Sequence, residues 1–117
     1  MKLQIEAQKL RVRVDEAELA RLLAGAPVES HTGFVTAFRM QVALTLTPQA
    51  DASLDGQPQA WRIALPLEVV RAHAASLPSR EGLHFTLAGA VGEPPLELLF
   101  DVDVRDSARR RRSSRGS

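Results

Sequence analysis

Leu3, Ile5 and Ala7 alternate with Lys2, Gln4 and Glu6, and Leu10, Val12 and Val14 alternate with Lys9, Arg11 and Arg13. A period of two sends the apolar set to one face, so the chain opens with two half-buried strands. Glu6–Lys9 is the expected turn between them, although it lacks the Gly or Asn that tight hairpins favour. Asp15 stands three residues before Glu18, the spacing of a capping box, and Leu19, Leu22 and Leu23 share one helical face. Gly25 and Pro27 stop that pattern, which predicts a helix over 15–24. Val28–Phe34 reads as extended. Val35–Leu46 reads as a long strand, with Thr36, Phe38, Met40, Val42, Leu44 and Leu46 on one face and Arg39, Gln41 and Thr45 on the other. Residues 48–60 are polar, are punctuated by Asp55-Gly56 and Pro58, and predict a loop. Trp61–Leu65 is a further strand. A second helix over 66–77 takes Pro66 into its first turn, buries Val70, Ala74 and Leu77, and ends at Pro78. Leu83–Ala88 is extended, and Leu96, Leu98, Phe100, Val102 and Val104 alternate with Glu97, Asp101, Asp103 and Arg105 in a closing strand.

The pattern occurs twice. Residues 8–38 and 59–89 align without a gap at an offset of 51, with identities at Gln8/Gln59, Arg11/Arg62, Ala24/Ala75, Pro27/Pro78, Phe34/Phe85 and Ala37/Ala88. The expected fold is α+β: a mostly antiparallel curved sheet or partial barrel of about seven strands with two helices, in the order ββαββ-βαββ. A pseudo-two-fold βαββ repeat is part of that expectation. Two copies are too few for a solenoid.

At 117 residues the chain is long enough for one domain with its own core. The apolar fraction of 44% comes mostly from Leu, Val and Ala, because only 4% of residues are aromatic. Cysteine is absent, which excludes disulfides, zinc–thiolate sites and thiol catalysis. No apolar run approaches the ~20 residues that span a bilayer, and the alternating first residues lack the apolar core of a signal peptide. A cytoplasmic protein with no membrane partner is the expectation. The net charge of +1 hides an asymmetry. Residues 1–105, the expected globular domain, hold ten Lys and Arg against thirteen Asp and Glu; residues 106–117 hold five Arg against one Asp. Small polar residues and a like-charge run predict a disordered Arg-rich tail there.

Several stretches resemble a family of small bacterial proteins known as a domain of unknown function, over most of the length. They are Met1-Lys2-Leu3 with Leu10-Arg11-Val12-Arg13-Val14 and Glu18-Leu19, then Glu29-Ser30-His31-Thr32-Gly33-Phe34, then Trp61–Glu68, and the strand Leu96–Val104. The end departs from the family, which often carries Glu-Lys-Asp-Phe where Asp101-Val102-Asp103-Val104 stands here. The resemblance implies one α+β domain and brings no activity.

No pattern in the chain marks a catalytic constellation, so a non-enzyme without a cofactor is expected. The serines lack a nucleophile elbow, and no G-x-G phosphate loop occurs. His31 and His84 both lie near the start of the extended segment that follows a helix, and strand pairing that brought them together would make a candidate site for a metal or small ligand. Glu97, Asp101 and Asp103 share one face of the closing strand, while Arg11, Arg13, Arg39 and Arg62 lie on the polar faces of others. An ordinary cross-strand charge ladder explains them, worth roughly 0.2–1 kcal/mol per pair. The same arginines with Trp61 form a candidate interaction face. Arg109, Arg110, Arg111, Arg112 and Arg115 could contact nucleic acid through phosphates, weakly and without sequence preference. The leading expectation is a protein-interaction or self-association module, because long strands in a small chain leave edges that invite pairing. A nucleic-acid accessory role through the tail comes second, and a ligand or metal carrier using His31 and His84 third.

Overall fold

A computed structural model describes residues 1–79 and 81–104. Its elements run β1 (Lys2–Glu6), β2 (Lys9–Asp15), α1 (Glu16–Leu23), β3 (Val28–Phe34), β4 (Phe38–Thr47), β5 (Ser53–Gln57), β6 (Ala60–Pro66), α2 (Leu67–Ala75), β7 (Leu83–Leu87) and β8 (Leu96–Asp103). They form two four-stranded sheets, ordered β1-β2-β8-β7 and β3-β4-β6-β5. Each sheet joins one hairpin from the first half of the chain to one from the second. Where the hairpins meet, β2 runs parallel to β8, with Val12 opposite Phe100, and β4 runs parallel to β6, with Leu44 opposite Ile63. The remaining pairs are antiparallel.

The α+β class and the two helices are as the sequence predicts. The single, mostly antiparallel sheet or partial barrel of about seven strands is not: there are eight strands among the described residues, in two mixed sheets that do not close. The alternation hid the parallel pairs for a physical reason. Parallel strands are usually covered on both faces and read as continuous apolar runs, whereas β2 and β4 keep one polar face. The additional strand, β5, lies inside the expected 48–60 loop. Its sequence Ser-Leu-Asp-Gly-Gln offers one apolar side chain, Leu54, too little for a periodic signal. Gly56 is required there: it sits at φ +114°, and a Cβ would run into the Ala60 carbonyl.

Local chemistry sets the ends of the elements. Asp15 caps α1, its carboxylate accepting from the Glu18 N–H at 2.7 Å, while the Glu18 carboxylate accepts from the Asp15 N–H at 3.0 Å. Pro66 ends β6 and precedes α2 as its cap instead of standing in its first turn. The long strand expected over 35–46 begins only at Phe38, because residues 35–37 turn the chain and Ala37 N–H donates to the Phe34 carbonyl at 2.9 Å.

One core serves both sheets. It takes Leu10, Val12 and Val14 from β2, Leu98 and Phe100 from β8, Val42 and Leu44 from β4, and Ile63 and Leu65 from β6. Val28, Leu19, Leu22 and Val70 complete it. Both helices contribute to this core, and α1 touches strands of both sheets. Their outer faces and their edges are therefore what the molecule presents to solvent.

Candidate interaction surface

On the outer face of the first sheet, cross-strand register sets up rows of polar side chains. Lys2, Arg13 and Asp101 stand in one row, and Gln4, Arg11, Leu99 and His84 in the next. Glu6, Lys9, Glu97 and Thr86 make the third. Asp101 gathers two arginines. Arg11 Nε donates to its Oδ2 at 2.9 Å and Arg11 Nη2 to the same oxygen at 2.5 Å, while Arg13 Nε donates to Oδ1 at 3.0 Å. Partial burial pushes the Asp101 carboxyl up, but the hydrogen bonds and charges of Arg13 and Arg11 outweigh it and hold the group below the usual carboxylate range. Two arginines on one carboxylate leave a net positive charge, and the Thr86 hydroxyl donates to Glu97 at 3.1 Å on the same face. A hollow of about 310 Å³ lies between these rows, lined in part by Arg11, His84, Glu97 and Leu99.

The second sheet has a similar polar face. Arg62 Nε donates to Asp55 Oδ1 at 2.9 Å, and His31 Nε2 lies 3.4 Å from Glu29 Oε2. Arg39, exposed on β4, forms no ion pair with any described residue. A hollow of about 340 Å³ beside it is lined by His31, Gly33, Gln41 and Gln59.

The expected ladder thus forms for Arg11 and Arg13 with Asp101, while Arg62 finds Asp55 on β5, a partner that the loop reading had hidden. His31 and His84 do not meet by strand pairing, since β3 and β7 belong to different sheets. Among the described residues no group of three or more potential ligands could hold a metal ion. Trp61 packs half-buried against the core, with its indole N–H donating to the Pro58 carbonyl at 3.0 Å. Arg109–Arg112 and Arg115 lie outside the described residues.

The sequence did not point to the apolar groups that the fold leaves in solvent. Phe34 and Phe38 face each other across the end of the β3–β4 hairpin with ring centroids 5.4 Å apart. They are 62% and 43% exposed, and Val35 between them is 91% exposed. The periodicity assigns Phe38 to a buried face, but the hairpin carries it past the end of the core. Ile5, on the core side of β1, is 64% exposed because β1 is an edge with no further strand beyond it among the described residues.

No helix among the described residues is long and apolar enough to cross a membrane. No family model, curated protein or solved structure matches the chain.

Proposed function

We propose that this protein is a small non-catalytic interaction module that pairs with another chain through its open sheet edges. The observation that carries this reading is that each sheet ends in two strands paired on one side only among the described residues, β1 and β7 in the first and β3 and β5 in the second. An unpaired edge presents a row of N–H and C=O groups to any strand that approaches it. The exposed Ile5 on β1, and Phe34, Val35 and Phe38 where β3 ends, add apolar area along two of these edges. The resemblance to the small bacterial family belongs to the same proposal and contributes only the one-domain α+β form. A repeat in the chain is supported by the matching layout of the sheets, in which exchanging β1–β4 with β5–β8 turns one strand order into the other.

The test is hydrogen exchange read at the edge strands, on dilute and concentrated full-length protein and after passage over immobilised cell proteins. Added protection of edge amides, at high concentration or with a retained protein, is the expected result. A monomer at every concentration, with no retained protein and no change at any edge, overturns the reading.

A further inference from the structure

The β1 strand reads Lys2-Leu3-Gln4-Ile5-Glu6, and it is complementary to itself when a second copy runs antiparallel. With Gln4 opposite Gln4 of the other copy, Lys2 meets Glu6 at both ends and Leu3 meets Ile5 on the core side. We propose that the protein forms a two-fold dimer in which β1 pairs with β1 of a second copy in this register, joining two four-stranded sheets into one of eight. This rests on the reading of the molecule as an edge-pairing module and names its partner.

Three features of the fold favour this edge. Lys2 and Glu6 form no ion pair with any described residue, so their charges are available. Within the hairpin Lys2 stands opposite Arg13, a like charge, and the second copy would supply the carboxylate that β2 does not. Ile5 is 64% exposed although it points to the core side, and Leu3 of the partner would lie against it. The register is also specified. A slip by one residue would turn Leu3 and Ile5 onto the charged face, and a slip by two would unpair the charges.

The other edges do not have this property. The same operation on β5 sets Asp55 against itself in a strand bent by Gly56 at φ +114°. On β3 it sets His31 against His31 and leaves Glu29 opposite Gly33. β7 carries no carboxylate or lysine to fix a register, and the chain at Ala50–Ala52 lines a hollow along it. A five-residue edge is a small interface, so the dimer is expected to be weak and concentration-dependent.

A charge swap on the full chain tests the pairing by sedimentation equilibrium from low micromolar to millimolar protein. Lys2→Glu places two like pairs in the interface, as does Glu6→Lys, and each is expected to weaken the dimer by roughly tenfold or more. The double variant Lys2→Glu/Glu6→Lys restores both pairs and is expected to recover it. Both side chains are exposed, and far-ultraviolet circular dichroism checks that each variant is folded. Because the chain has no cysteine, Gln4→Cys gives a second readout. Directly opposed residues lie about 4.5–5.5 Å apart at Cα, within disulfide reach, so this variant should oxidise to a dimer while His31→Cys should not. A dimer indifferent to the swap and to Gln4→Cys overturns the β1 pairing and leaves edge pairing elsewhere. Growing polymers also overturn it, since they require two different edges. A strict monomer that still gains edge protection from a retained protein overturns the dimer alone; a strict monomer without that protection removes the interaction reading as well.

Discussion

Asp101 shows how one side chain organises a face. Its carboxylate receives three donated hydrogen bonds from Arg11 and Arg13, and its folded-state pKa lies below the ordinary value of 3.8. A depressed carboxyl stabilises the fold above its unfolded pKa, and that contribution disappears as pH falls through the folded value. Asp101→Asn should therefore cost about 1 kcal/mol at neutral pH, discounted because both arginines are partly solvated. The gap between variant and native protein should close as urea titrations are carried below pH 4. Val35 makes the opposite case. It is a β-branched residue at φ +54°, a backbone region that costs such a side chain energy, and its side chain is 91% exposed. Val35→Gly should raise stability by about 1 kcal/mol in chemical denaturation, the relief of strain exceeding glycine's extra entropy in the unfolded chain. The charge ladder of Arg11 and Arg13 could be anticipated from alternation, because polar faces of paired strands must meet. The left-handed turn at Val35 could not, since the pattern runs a strand straight through 35–46.

At the scale of the element, α1 carries its own instructions. The Asp15–Glu18 capping box, the leucine face and Gly25 are all local, and the sequence places this helix within a residue of its observed ends. β5 is the contrary case, since little in Ser53–Gln57 requires a strand. It exists because β6 offers an edge and because Gly56 alone accepts the backbone that brings it there. Gly56→Ala should cost about 2 kcal/mol by forcing a Cβ against the Ala60 carbonyl in a disfavoured conformation. Hydrogen exchange should show the loss concentrated in β5 and along its partner residues in β6, with α1 unaffected.

Across the whole molecule, the two sheets depend on a common core. Phe100 of β8 is fully buried among side chains of both, and its loss would leave a cavity that neither sheet could close independently. Phe100→Ala should cost about 3–5 kcal/mol and still give one unfolding transition, seen alike by Trp61 fluorescence in the second sheet and by circular dichroism. Two separated transitions would mean that the sheets fold as independent units. The same arrangement explains why the edges matter. A core shared between two sheets buries their inner faces but closes neither, and among the described residues leaves four strands paired on one side only.

The order of polar and apolar positions was sufficient for the α+β class, for α1 with its cap, and for the alternating faces of β2 and β8. Those features follow from contacts a few residues apart, which the periods of helix and strand report directly. The pairing of β2 with β8 and of β4 with β6, the splitting into two sheets and the separation of His31 from His84 arise from contacts between distant segments. Alternation states which side of a strand faces the core but neither its partner nor its direction. Those were settled when both halves of the chain buried their apolar faces in one core, leaving Ile5, Phe34 and Phe38 at its margin.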